Sequence, residues 1–260
     1  LARLLPPRGQ LPQISLGTAV LDAMTTKQLG RQTVALANPP TLAGHANVVG
    51  KKEGEGPLAS SFDLIGSDDT FGEATWEKSE SAMQKQALAL ALDKAGQAAS
   101  AMDWLFAGDL LNQCIGATFG VRELGIPYLG IYGACSNMAE GLLLSAFLAE
   151  SGLRYLGVST ASHFCTAERQ YRFPLEYGGQ RTPTSQWTVT GGGAVVVAGA
   201  AAQTPDQAGP WIQAAAIGTI EDKGIKDAAN MGAAMAPAAA ATILGFLSDT
   251  GTTPEDYDLI

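Results

Sequence analysis

Between Trp104 and Ala198 the chain alternates short continuous apolar runs with segments of helical spacing, and this alternation restricts the fold more than any other feature. Trp104 to Ala107, Tyr128 to Tyr132, Tyr155 to Ser159 and Ala194 to Ala198 lack strict polar alternation, so as strands they need cover on both faces. Helices are predicted over Asn112 to Leu124, closed by Gly125, and over Ser136 to Glu150, closed by Gly152. Upstream, Trp76, Met83, Ala87 and Leu90 recur at helical spacing before Gly96; downstream, Trp211 to Ile217 opens a second series. Strands alternating with helices argue an α/β fold whose sheet lies between helical layers.

A chain of 260 residues holds one large domain or two small ones. With 46% hydrophobic and only 16% charged residues it cannot be intrinsically disordered. Sixteen Lys and Arg against 25 Asp and Glu, a net charge of -9, leave no basic face, which argues against nucleic acid as a partner. Cys114, Cys135 and Cys165 lie in separate segments without CxxC spacing, so neither a disulfide framework nor a structural zinc site is indicated and a reducing compartment is expected. Leu1 to Pro7 is too short an apolar run for a signal peptide and is broken by Pro6 and Pro7, so secretion is not expected. Ala228 to Leu247 carries no charge and approaches membrane-spanning length. It is mostly Ala and Gly with Pro237 inside, and it reads as a buried helix rather than a span.

Residues 1–25 read as an extension, with Leu1 to Ala23 Pro-punctuated and Met24 a candidate initiator. Val48 to Gly66 reads as a loop, with His45 in the same early loop region. Ala101 to Phe106 resembles Pro254 to Leu259, each after a helix and a Gly-containing turn. The echo suggests a duplicated fold: a first half over 26–205 and the start of a second over 206–260, which the sequence leaves truncated at Ile260.

Chemistry concentrates after the strands. Cys135 sits between a strand and a helix N-terminus, where free amides favour a thiolate; it is a candidate nucleophile, or a small residue packed beside Gly133. Its base could come only from His45 or His163, and His163, following the third strand, points into the crevice or is a satisfied strand-end histidine. Asp109 and Asn112 either cap a helix or share that crevice. Ala161 to Thr190 reads as a long segment in which Arg169, Arg172 and Arg181 alternate with Glu168, Glu176, Tyr171, Phe173 and Tyr177. Forked guanidinium donors and aromatic faces can clamp a planar dicarboxylate, or form a salt-bridged subunit interface. No GxSxG, P-loop, HExxH or zinc-ligand spacing appears, and no metal site is expected.

Five motifs in order, Gly108-Asp109-Leu110-Leu111-Asn112-Gln113, Gly133-Ala134-Cys135-Ser136, Thr166-Ala167-Glu168-Arg169-Gln170, Glu176-Tyr177-Gly178-Gly179-Gln180 and Met231 to Ala240, resemble the stage V sporulation protein AD family from about Lys27 to Ile260. The resemblance implies a thiolase-like fold, layered αβαβα with two similar halves and related to ketoacyl synthases. It implies a protein that binds dipicolinic acid (pyridine-2,6-dicarboxylate) for uptake into the developing spore and release in germination. Such a protein would act peripherally on the cytoplasmic side of the spore inner membrane, beside the membrane-embedded SpoVA proteins, as a homodimer. Cys135 falls where condensing enzymes carry their nucleophile, whereas family members are regarded as ligand binders. The ligand-binding set so implied is Asp109, Asn112, Cys135, Ser136, His163, Glu168, Arg169, Tyr177 and Arg181. In that set Ser136 supplies helix amides, Arg169 and Arg181 the forks and Tyr177 a ring contact, with no cofactor unless calcium accompanies the ligand at Asp109. The alternatives are a condensing enzyme with an acyl-Cys135 intermediate and a structural scaffold. The His or Asn partners of condensing enzymes would follow Ile260, and Leu1 to Ala23 has no counterpart in the family pattern.

Overall fold

The computed structural model describes residues 26–171, 188–203, 209–227 and 230–260. The expected extension over 1–25, and Arg172, Phe173, Glu176, Tyr177 and Arg181, lie outside the described residues. In chain order the elements are β1 (Lys27–Leu29), β2 (Thr33–Ala35), β3 (Thr41–Val49), α1 (Lys51–Gly54), β4 (Leu64–Ile65), α2 (Trp76–Lys94), β5 (Trp104–Gly108), α3 (Ile115–Val121), β6 (Tyr128–Gly130), α4 (Asn137–Ala149), β7 (Tyr155–Ser162), α5 (Phe164–Tyr171), β8 (Gly191–Ala198), β9 (Ala214–Ala216) and α6 (Met231–Thr250). Two compact units result, Asn38–Ile212 and, separately, Leu1–Ala37 with Gln213–Ile260.

In the larger unit six strands form a mixed sheet in the order β4-β3-β8-β7-β5-β6. β6, β5 and β7 run parallel, whereas β8 is antiparallel to both β7 and β3. Helices cover both faces, as the continuous apolar strands require. Leu105 and Ala107 of β5 pack with Met83, Leu88 and Leu92 of α2 and Ala117 and Val121 of α3, while Phe106 between them packs with Leu156, Val158 and Ala149 on the opposite face. Each large apolar side chain removed from water in this way contributes roughly 1.5–3 kcal/mol. α2 is capped by Thr75, whose hydroxyl accepts from Lys78 N at 3.3 Å. β3 can lie close against α2 because a Cβ on Gly44 would collide with the Ala91 carbonyl and Ala95 N.

Four expectations are corrected here. Val48 to Gly66 is not one loop: β3 extends to Val49 and α1 and β4 follow, so His45 is an exposed mid-strand residue paired with Val195. Ladder pairing with β8 overrides the loop-like composition. The helix expected over Asn112 to Leu124 is broken, because Gln113 (φ 60) and Cys114 (φ 52) are left-handed and the α-helix begins only at Ile115. Within the expected loop Ala161 to Thr190, β7 runs on to Ser162 opposite Gly191, and Phe164–Tyr171 forms α5. Finally, α6 is not a buried helix: Leu247 and Thr250 are its buried residues. Its exposed face carries Met231, Met235, Ile243 and Leu244 among small alanines, so a charge-free helix need not be a buried one. Among the described residues α6 alone is long and apolar enough to cross a membrane, a criterion of length and composition.

In the smaller unit β1, β2 and β9 form an antiparallel sheet. The Asp249 carboxylate accepts from Arg31 N and Gln32 N at 3.0 and 2.9 Å, and this approach leaves no room for a Cβ at Gly30 (φ 53). The internal echo is visible in the backbone, in a register two residues away from the one read in sequence. Left-handed Gly96 precedes the 3-10 turn Ala99–Ala101, and left-handed Gly251 precedes the 3-10 turn Pro254–Asp256, so Ala99, not Ala101, corresponds to Pro254.

Candidate functional site

The three parallel strands β6, β5 and β7 end side by side, and the residues following each of them carry the chemistry. In open α/β sheets such carboxyl ends are where a crevice for ligand forms.

After β5, Asp109 is fully buried. Its two carboxylate oxygens accept from Leu111 N at 2.7 Å and Ala117 N at 2.6 Å, so it caps the broken start of α3. Burial raises its pKa while these amides pull it down. Asn112 is exposed, and its backbone N donates to Gln170 Oε1 at 3.0 Å.

After β6, the turn Tyr132 to Ser136 carries the candidate thiol. Ala134 is left-handed (φ 50), a conformation a non-glycine residue seldom adopts and one often found at working sites. Cys135 and Ser136 are exposed at the start of α4. Ser136 Oγ donates to the Gly133 carbonyl at 2.8 Å. Buried Asn137 ties the turn to β5: its Oδ1 accepts from Gly133 N at 2.6 Å and its Nδ2 donates to the Asp109 carbonyl at 3.2 Å.

After β7, His163 is buried and stacked on Trp76. Nδ1 accepts from Cys165 N at 3.1 Å and Nε2 lies 2.7 Å from the Asp69 carbonyl, which requires the Nε2-H tautomer. Both ring nitrogens are thereby engaged within the protein. Glu168 on α5 is buried; Arg169 is on the same helix. Gln170, one turn beyond Thr166, has its Nε2 within hydrogen-bonding distance of the Leu110 carbonyl (2.9 Å), Tyr132 Oη (3.2 Å) and Asn112 Oδ1 (3.3 Å), its two protons shared among the three. Tyr132 Oη in turn donates to Asn112 Oδ1 at 3.2 Å.

Asn112 and the Cys135-Ser136 turn are thus joined through Tyr132 and Gln170, while Asp109 and His163 stand behind them as buried supports. Sequence reasoning passed over Tyr132, Asn137 and Gln170 as site residues. Gln170 lies inside a quoted motif and Asn137 directly follows one, but a motif does not say which side chain bridges two strand ends. Among the described residues no three metal-ligating side chains converge.

The stage V sporulation protein AD family profile matches residues 30–260. The stage V sporulation protein AD of Bacillus subtilis (strain 168) is 40% identical over 235 residues, 90% of this chain and 68% of that one. The chain belongs to the stage V sporulation protein AD family. It is therefore a sporulation protein, and its fold is thiolase-like. It superposes on 3-oxoacyl-(acyl carrier protein) synthase III, FabH, from Xanthomonas oryzae with a TM-score of 0.53 at 16% identity, over 89% of this chain and 77% of that one. For cerulenin-bound OleA from Xanthomonas campestris the TM-score is 0.56 at 16% identity, over 85% and 73%. Across several solved structures of this fold, the chain spans from 50% to 77% of their length. At such identities the likeness concerns the fold alone.

Proposed function

We propose that this family member binds dipicolinate for loading into the developing spore, without acyl transfer. The observation that carries the reading is the exposed Cys135-Ser136 turn at the start of α4, flanked by Tyr132 and by the hydrogen-bonded pair Asn112 and Gln170. Such a surface offers helix amides, hydroxyl and carboxamide donors and one aromatic face to a flat dianion. Arg169 on α5 and Arg181 would supply the forked cations. His163, with both nitrogens engaged, supports binding over general-base catalysis. Asp109, closed on two amides, leaves any accompanying calcium to the ligand's own carboxylates. The setting of this activity is the cytoplasmic face of the spore inner membrane, beside the SpoVA membrane proteins.

The test is calorimetric titration of the full-length protein with dipicolinate, with and without calcium. Saturable binding is expected, and Arg169→Ala and Arg181→Ala should each weaken it roughly tenfold to hundredfold, the loss of one charge-assisted hydrogen bond at ~1.5–3 kcal/mol. Lys51→Ala should leave it unchanged. No binding, or wild-type affinity in both arginine variants, removes the ligand from this site. An acyl adduct on Cys135 that forms from acyl-CoA and turns over replaces the reading with a condensing enzyme.

A further inference from the structure

Behind the site, on α2, lies a polar cluster with no part in the ligand surface described above. Glu80 is fully buried, and its Oε2 accepts from Thr166 Oγ1 of α5 at 2.7 Å. Its other oxygen, Oε1, has no hydrogen-bond partner among the described residues. Gln84, one turn further along α2 and also fully buried, donates from Nε2 to the Gly108 carbonyl at the end of β5, while its Oε1 is likewise without a partner among the described residues. Two orphan acceptors one turn apart on α2 conflict with the rule that buried polar atoms are paired, and a proton on Glu80 would turn one of them into a donor.

We propose that Glu80 is a positioning residue which, carrying that proton, docks α5 on α2 and so holds Gln170 against Asn112 and Tyr132. Thr166 and Gln170 are one turn apart on α5, so the depth at which Glu80 holds the first sets the position of the second. The ligand consequence rests on the dipicolinate reading; the positioning itself does not.

The surroundings favour the protonated form. Asp109, at the end of β5, places a second buried carboxyl near Glu80, with Gly116 between the two. α5 carries Cys165 and Glu168, with Arg169 next in its sequence and His163 just before the helix. β3 contributes exposed His45 and β7 contributes Tyr155, while α3 and β8 have no ionisable side chain. Burial, opposed by the Thr166 hydroxyl, pushes Glu80 up to about 8 from an ordinary 4.5. The folded form thus binds a proton that an opened α5 would release between those values. The docked state is therefore fully favoured below pH 4.5 and loses that advantage as pH rises to about 8, beyond which the effect is constant.

Hydrogen exchange of the α5 peptide in the full-length protein, corrected for the intrinsic rate, measures the opening. In wild type the opening constant should climb by up to about tenfold per pH unit between about 4.5 and 8 and then level off. Glu80→Gln, the isostere of the neutral acid, should stay at the low-pH value throughout, and Thr166→Val should be open at every pH. Infrared spectra at pH 6 should show a protonated-carboxyl carbonyl band that Glu80→Gln lacks. A Glu80→Gln protein with the wild-type slope, or a wild type with no slope, overturns the proposal. Failure of the protein to bind dipicolinate at any pH would end the ligand reading while leaving these two measurements decisive for Glu80.

Discussion

Three cysteines of one chain meet three different environments, and their reactivities should separate accordingly. Cys114 is buried, its thiol donates to the Ile131 carbonyl at 3.2 Å, and burial beside Asp109 pushes its pKa up. Cys165, partly buried on α5, is raised chiefly by burial as well. Cys135 is exposed at the start of α4. A thiolate is the alkylated species, so iodoacetamide at neutral pH is expected to label Cys135 first, with Cys165 and Cys114 following more slowly. Peptide mass spectrometry over a time course reads the order, and earlier labelling of Cys114 would mean that the β6 to α4 turn is not arranged as described.

At the scale of elements, the site depends on how closely β5, β6 and α4 approach one another. Gly108 ends β5 where a Cβ would sit on the Ile131 carbonyl oxygen and 2.5 Å from Asn137 Nδ2. Asn137, first residue of α4, then ties Gly133 N to the Asp109 carbonyl. Gly108→Ala forces these backbones apart and is expected to cost ~1–3 kcal/mol by overpacking. Asn137→Ala leaves the buried Asp109 carbonyl and the part-buried Gly133 N unpaired, at about 1–3 kcal/mol for the buried group. Chemical denaturation should show a lower midpoint in both variants, whereas Ser136→Ala, exposed and bonded only within its own turn, should fall within ~0.5 kcal/mol of wild type. A Gly108→Ala protein of wild-type stability would show that the strand ends are farther apart than in this structure.

For the whole molecule, the sheet of the larger unit ends at β4 and β6, and β6 is a three-residue edge strand with Leu129 exposed. Unpaired strand edges invite pairing with another chain, and a chain with only 16% charged residues has few charges to prevent it. The full-length protein is therefore expected to sediment as a homodimer, and Leu129→Asp to shift it toward monomer. A monomer at all concentrations, in wild type, would remove the subunit interface from the picture.

Much of this was written locally. The alternation of apolar strands and helices, the closure of α2 and α4 by Gly96 and Gly152, and the placement of Asp109, Cys135 and His163 just after strands follow from period and turn chemistry, which neighbouring residues determine by themselves. The left-handed break at Gln113 and Cys114 does not follow, because it depends on Asp109 reaching forward to Ala117 N in a buried setting. Nor does the strand identity of His45, which rests on pairing with Val195 150 positions away. The meeting of Asn112, Tyr132 and Gln170, and of Glu80 with Thr166, joins residues 20 to 86 positions apart. Local sequence sets which side chains stand at strand ends. Only the packed sheet, by bringing three strand ends and α5 together, decides which of them touch, because hydrogen bonds between distant segments depend on the path of the whole chain and not on the composition of either one.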